Sequence, residues 1–534
     1  MGRGTGARAP LGLALPAAIV AVAMLLPLAY LLIRGVGSGQ EGLSFLASPR
    51  IGQLLWQTLA LAVSVTLLAG LLGVPLAWLV TRTDLPFPRV WSVLLMLPLV
   101  IPTYVGGFVL VAALGPRGLL QQLLAPAFGV QRLPEIYGFW GAALTLTLFT
   151  YPYVLLTVRG AMLRQDPAFE QASRSLGSGP WTTFFRVTIP LLRPSIAAGS
   201  LLVGLYTLSD FGAVSLLQYD SFTRAIYLQY QGSLDRSIAA LLALVLVTFT
   251  GLILLAEAST RGRARYYRSA RAAAAPMTYR LRRWTAPALT LCAATTLAAV
   301  LLPIGVLLYW LGRGLASSAV TIDSLWLPVA NSAYASTFAG AAALLAATPV
   351  ALLAVRYPGR FGDTIERITY TTFALPGIVV ALSLVFFGAN FVPFLYQTLA
   401  LLVFAYVIRF LPEAVGAMRS GLLQLNPRLE EAASGLGRRR HEVFLTVTAP
   451  LIAPAALGGV ALVFMSAMKE LPVTLLLSPI GFKTLATTTW NATAGGLYAQ
   501  AAPAALLLVF LSAAFLPWLL GAERHLDSGH VLDS

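Results

Sequence analysis

Asp166-Pro167-Ala168-Phe169-Glu170-Gln171-Ala172-Ser173-Arg174-Ser175-Leu176-Gly177 runs on to Pro190-Leu191-Leu192-Arg193-Pro194, and 260 positions later Asn426-Pro427-Arg428-Leu429-Glu430-Glu431-Ala432-Ala433-Ser434-Gly435-Leu436-Gly437 runs on to Pro450-Leu451-Ile452-Ala453-Pro454. Proline behind an Asp or Asn cap starts a helix, and glycine at the far end stops it. Each copy therefore predicts a short capped helix, a glycine break, and an amphipathic stretch that ends at proline where the next apolar span begins.

The setting of these loops is a membrane. With 58% hydrophobic residues, 10% charged residues and a mean hydropathy of +0.80, the chain has too little polar surface to cover a soluble protein of 534 residues. A window of about 19 residues finds apolar spans near 11–33, 54–80, 91–114, 138–158, 194–213, 238–256, 285–311, 332–355, 368–388, 397–417, 454–472 and 502–521. Twelve helices are expected. Arg261, Arg263, Arg265, Arg268, Arg271, Arg280, Arg282 and Arg283 crowd the stretch between the sixth and seventh spans, which the positive-inside rule places in the cytoplasm. Both repeated loops then face the cytoplasm too, and an even number of spans puts both termini there. The net charge of +16 does not call for nucleic acid, because the arginines sit at span ends where topology and anionic headgroups account for them. The single cysteine, Cys292, lies in an apolar span and permits no intrachain disulfide.

The duplication extends beyond the loops. At the same 260-residue offset Pro152 matches Pro412, Arg159 matches Arg419, Gly199 matches Gly459 and Phe222 matches Phe482. Earlier in each half the offset is 274, pairing Pro75 with Pro349, Arg82 with Arg356 and Pro102 with Pro376. The excess of 14 residues falls most easily in the loop around Gly115 to Tyr137. The expected division is a first six-helix unit over 1–258, an Arg/Ala-rich cytoplasmic linker over 259–284, and a second six-helix unit over 285–534. The pseudo-two-fold between such units is the natural place for a pathway.

No Gly-x-x-x-x-Gly-Lys-Ser/Thr occurs, and the only lysines are Lys469 and Lys483, so the chain has no phosphate-cradling loop of that type. His-Glu-x-x-His, Cys-x-x-Cys and Gly-x-Ser-x-Gly are absent as well. A transport subunit is expected rather than an enzyme, with any ATP hydrolysis on a separate subunit. Charged side chains inside a span cost about 2.5–3.5 kcal/mol on insertion scales and ask for a role. Ser209-Asp210-Phe211-Gly212 and Met468-Lys469-Glu470-Leu471-Pro472 supply them, with Asp210 and Glu470 equivalent at the 260 offset. Lys469 is expected to neutralise either acid across the pseudo-two-fold.

The repeated loop resembles the EAA loop of ABC importer permeases, the coupling helix that docks in a groove of the ATPase subunit. The second copy fits that pattern with Glu431-Ala432-Ala433 and Gly437; the first departs from it at Gln171 and Ser173 while keeping Glu170, Ala172 and Gly177. The resemblance implies ATPase-coupling roles for Glu170, Gln171, Ala172 and Gly177 within 164–194, and for Glu430, Glu431, Ala432 and Gly437 within 424–454.

Leu208 to Ser215, Lys469 to Leu477, Phe222 to Tyr227 and Phe482 to Thr487 resemble the fused permease of ferric iron importers, and the likeness covers nearly the whole chain. It implies an all-α integral membrane protein of the bacterial inner membrane, built as two tandem type I importer permease units. The implied partners are a pair of ABC ATPase subunits, a periplasmic or lipid-anchored ferric-binding protein, and membrane lipid. No cofactor is expected on this chain; ATP and Mg belong to the ATPase.

Ferric iron is a hard cation suited to carboxylate and phenolate oxygen. Tyr206, Ser209, Asp210, Lys469, Glu470 and Thr474 are the expected pathway or gate residues, and the charged ones read equally well as a structural cluster. No stable metal site is expected, only transient contact with Asp210 and Glu470, since conduction needs binding weak enough to release. Thiamine, polyamine and phosphonate permeases share this fold and loop, so those substrates stay open. A twelve-helix secondary transporter also has two six-helix halves, but it has no need of paired docking helices.

Overall fold

Apolar runs of this length leave the backbone N–H and C=O groups no partner in lipid but one another, which selects helices. The computed structural model describes residues 9–514 apart from 38, 117, 167, 233–236, 261–277, 319–322 and 373–374, and among these it is helical with a single isolated β-bridge. Most of the linker arginines, Pro167 and the end of the last apolar span at 515–521 lie outside the described residues.

The principal helices are α1 Leu11–Gly37, α2 Pro49–Arg82, α3 Thr103–Leu114, α4 Phe139–Arg164, α5 Ile189–Ser209 and α6 Ser237–Thr260 in the first half. In the second half they are α7 Arg282–Ala316, α8 Asp323–Arg356, α9 Gly377–Phe391, α10 Leu399–Gln424, α11 Ala449–Lys469 and α12 Tyr498–Ala514. Ten helical stretches among the described residues are long and apolar enough to cross a membrane, one of them Thr103–Phe128, which joins α3 to the helix after it; α3 alone, α9 and α12 are shorter, at 12, 15 and 17 residues. The third and ninth expected spans are broken rather than continuous. Pro88–Leu94 and Leu97–Val100 precede α3, and Arg360–Thr371 precedes α9. The breaks fall at Pro102 and Pro376, which cap the helices that follow with extended ψ of 144° and 142°; proline supplies no N–H to a preceding turn and disfavours helix in the residue before it. The extra residues of the first half form a helix, Leu119–Phe128, stopped by Gly129 at φ +64°.

In each half a body of three helices forms, α2 with α4 and α5, and α8 with α10 and α11. The matched glycines explain the close contact: a Cβ on Gly199 of α5 would lie 2.8 Å from Cα of Val154 on α4, and one on Gly459 of α11 would lie 3.2 Å from Cα of Ala414 on α10. Small residues allow such approach between apolar helices. The first helix of each repeat reaches across to the other half. α1 packs on its own α6 and on α8 and α9, with Ala17, Ala21 and Met24 in one core with Ala339, Ala343 and Ala347. α7 packs on its own α12 and on α3. The two repeats are thus interlocked, and the central helices α3 and α9 are buried nearly all round.

Candidate functional site: two loop helices and a polar cavity between the halves

The repeated loops fold alike. Asp166 Oδ1 accepts the Ala168 N–H at 2.9 Å to start Ala168–Ser175, and Asn426 Oδ1 accepts the Arg428 N–H at 3.1 Å to start Pro427–Gly435. Gly177 and Gly437 end these helices at φ +84° and +85°, the left-handed region that glycine enters without a Cβ clash. A single wide turn of π type follows in each, Phe184–Thr188 and Phe444–Thr448, before α5 and α11 begin. Such turns recur at functional sites. Here each one aims a hydroxyl at the loop helix: Thr188 Oγ1 donates to Glu170 at 3.0 Å and Thr448 Oγ1 to Glu430 at 2.7 Å.

Glu170 and Glu430 therefore face the permease body. Glu170 is fully buried and its second oxygen accepts the Tyr279 phenol at 3.3 Å. Glu430 pairs with Arg356, Nε to Oε2 at 2.9 Å. Gln171, Ala172, Glu431 and Ala432 point outward and are exposed, flanked by Leu176 and Leu436, each 86% exposed. The outward face is the one available to another subunit.

A cavity of about 250 Å³ lies between the halves, and equivalent positions line its two walls with different chemistry. The first half presents Phe149, Tyr153, Tyr206, Ser209 and Asp210; at the same positions 260 residues on, the second half presents Arg409, Glu413, Ser466, Lys469 and Glu470. One wall is aromatic and the other ionic.

Asp210 and Glu470 occupy the breaks that end α5 and α11, each just before a short helix, Gly212–Leu216 or Pro472–Leu477. Asp210 acts as the cap of its short helix: Oδ2 accepts the N–H groups of Ala213 at 3.0 Å and Val214 at 3.3 Å, and Oδ1 accepts the Thr103 hydroxyl at 2.5 Å. Tyr206 lies 3.4 Å from that same hydroxyl, while Ser209 turns back to the Tyr206 carbonyl at 3.1 Å. Glu470 Oε1 accepts the Val473 N–H at 3.4 Å, and Oε2 pairs with Arg409 Nε at 3.0 Å. Thr474 ties the Glu470 carbonyl at 2.5 Å and meets Tyr406 at 2.6 Å. The equivalent of Thr103 is Gly377, where a Cβ would lie 2.6 Å from Glu470 Oε1 and 2.9 Å from an Arg409 nitrogen. The ion pair fills the space that the threonine fills in the first half.

Lys469 does not neutralise either acid. Its Nζ donates to the Leu99 carbonyl of the first half at 3.4 Å, and among the described residues no carboxylate lies within 4.0 Å of it. The acids are already satisfied, Asp210 by its own turn and Thr103, Glu470 by Arg409. Reading the sequence missed Arg409 and Glu413, whose carboxylate accepts the Ser466 hydroxyl at 3.0 Å on both oxygens. The signal was present in Val407-Ile408-Arg409-Phe410-Leu411-Pro412-Glu413, two charges inside the tenth apolar span.

An interlocked pair of helical repeats, two matched loop helices and a polar cavity on the axis between them define a membrane transport permease. The family described as "binding-protein-dependent transport system inner membrane component" matches residues 69–261 and again 339–528, each match containing one loop helix, and the chain belongs to this family. It is a multi-pass inner-membrane protein. It is 34% identical to the Fe(3+)-transport system permease protein FbpB 2 of Haemophilus influenzae over 509 residues, 95% of this chain and 97% of that one. It is 25% identical to the ferric transport system permease protein FbpB of Actinobacillus pleuropneumoniae, over 89% of this chain and 72% of the relative. The molybdenum transport system permease protein ModB of Escherichia coli is 35% identical over 162 residues, 30% of this chain and 69% of the relative.

Proposed function

We propose that this chain forms the translocation pathway of an ATP-driven importer for ferric iron, delivered by a periplasmic or lipid-anchored binding protein. The observation that carries the importer reading is the pair of loop helices with the same cap, the same left-handed glycine and the same wide turn. A machine driven by two ATPase subunits needs two such contacts, and a secondary transporter needs none. Iron is favoured over thiamine, a polyamine or a phosphonate by the likeness to ferric permeases along almost the whole chain.

In this reading the two repeats span 1–258 and 285–534 around a cytoplasmic linker, and α1 to α12 make twelve crossings with both termini in the cytoplasm. α3, α9 and α12 then cross as shorter helices shielded by their neighbours. Separate ATPase subunits hydrolyse ATP with Mg beneath the loops. The cavity holding Tyr206, Ser209, Asp210, Lys469 and Glu470, with Thr474 behind Glu470, is the pathway or its gate, with Asp210 and Glu470 touching the ion only in passing. Lipid surrounds the bundle.

The loops test the docking part. Glu431 offers an exposed carboxylate for a charge-assisted contact to an Arg or Lys of the ATPase, whereas Gln171 offers only an amide. Glu431→Arg is expected to reduce co-purification of the ATPase more than Gln171→Arg, with membrane insertion unchanged in both. Equal recovery of the ATPase from both variants and from the parent would contradict it.

A further inference from the structure

The two loop helices are held to the body by different residues. In the second half Arg356, at the end of α8, reaches Glu430 with Nε at 2.9 Å and a second guanidinium nitrogen at 3.2 Å. Its counterpart Arg82, at the end of α2, is buried and instead donates to the Met162 carbonyl at 2.9 Å. The place opposite Glu170 is taken by Tyr279, three residues before α7 begins. Tyr279 is itself fastened to the first half by backbone. It bridges with Thr83, its N–H donates to the Arg82 carbonyl at 2.7 Å, and its carbonyl accepts the Asp84 N–H at 3.1 Å. Asp84 Oδ1 then accepts the Leu281 N–H at 2.7 Å.

Aromatic rings close the same spot. Trp78 of α2 lies 5.8 Å from Tyr279 and 6.3 Å from Trp181, and Trp181 lies 6.2 Å from Trp284 at the start of α7. Ring pairs at these separations contribute beyond the area they bury. The positions of Trp78 and Trp181 in the second half are Leu352 and His441, so this box belongs to the first half alone. Burial, with Glu170 beside it, pushes the Tyr279 phenol up to about 12. The phenol therefore remains a hydrogen-bond donor at neutral pH.

We propose that Tyr279 is a positioning residue for coupling: it seats the first loop helix through Glu170 in place of an arginine, and so ties the stroke of that helix to the start of α7 in the second half. The connection runs from the loop helix through Glu170 and Tyr279 into α7, and α7 in turn packs on α3 beside the cavity. A push on one coupling helix is thereby shared with both repeats. The proposal rests on the importer reading given above.

The test uses the full chain with its ATPase and binding protein in proteoliposomes, with iron transported per ATP hydrolysed as the readout. Tyr279→Phe keeps the ring in the aromatic box and removes only the hydroxyl. It is expected to lower the ratio roughly fivefold to tenfold, within the range of one net intramolecular hydrogen bond, with complex assembly and ATP hydrolysis unchanged. Glu170→Leu, which removes the acceptor from the other side and strips Thr188 of its partner as well, is expected to give at least that drop, and Glu170→Gln, which keeps an acceptor, to recover most of the ratio. Cutting the chain at a protease site inserted between residues 264 and 272 should leave the ratio intact, because Tyr279 stays joined to α7. A normal ratio in Tyr279→Phe or in Glu170→Leu overturns the proposal. So does a drop that linker cleavage reproduces, since the effect would then lie in the tether. A parent complex that hydrolyses ATP but moves no iron would count instead against the ferric reading.

Discussion

Glu470→Gln is expected to destabilise the folded permease by about 3–5 kcal/mol, because it strips Arg409 of its counter-charge where neither partner is well solvated. Glu470 is 7% exposed and its carboxylate meets Arg409 Nε at 3.0 Å in a space left open by Gly377. Arg409→Met should cost a similar amount for the reciprocal reason. The double variant Arg409→Met/Glu470→Gln removes the pair whole, leaving neither member without the other, and should recover much of the loss. Thermal unfolding in detergent, together with the fraction of monodisperse protein after extraction, reads this directly. Single variants as stable as the parent would mean that water in the cavity screens the pair and that it does not hold the fold.

Asp210 is expected to behave differently, because its oxygens serve its own backbone turn. Asparagine caps a helix about as well as aspartate, so Asp210→Asn should keep the folded protein within about 1 kcal/mol of the parent. Asp210→Ala leaves the Thr103 hydroxyl and the N–H groups of Ala213 and Val214 without their acceptor, at about 1–3 kcal/mol for each buried group left unpaired. If the anionic oxygen also guides the ion, iron uptake in Asp210→Asn should fall by about tenfold, equivalent to about 1.4 kcal/mol on the limiting barrier, while ATP hydrolysis persists. Uptake at the parent level in that variant would reduce Asp210 to a cap.

The order of helices could be read from apolar run length, and the loop helices from cap and stop residues that act within a few positions. Asp166, Asn426, Gly177 and Gly437 do their work locally, so a linear pattern carries them. The breaks at Pro102 and Pro376 were present as matched prolines, but the window that finds a span averages over them. What could not be read was which long side chain reaches which acid. Lys469 is adjacent to Glu470 in sequence, yet it crosses to Leu99, while Arg409, 61 positions before Glu470, makes the pair. That choice depends on how α10 sits against α11 and on the absence of a side chain at Gly377. The inward turn of Glu170 and Glu430 was equally hidden. Each lies beside the residue at the docking position, Gln171 or Glu431, and helical geometry sends neighbours to different faces. The crossing of α1 and α7 to the opposite half has no signature in either helix alone.

We propose that this permease carries ferric iron when driven by an ATPase seated on its two loop helices. The most direct measurement is uptake of radiolabelled iron into proteoliposomes holding the chain and its ATPase, with iron supplied on the purified binding protein and ATP on the loop-helix side. Uptake is predicted to require ATP, the binding protein and the ATPase together, to be lost in Glu431→Arg, and to be indifferent to excess thiamine, spermidine or phosphonate. Iron uptake that proceeds without ATP, or ATP-driven accumulation of one of those other substrates with none of iron, would contradict it.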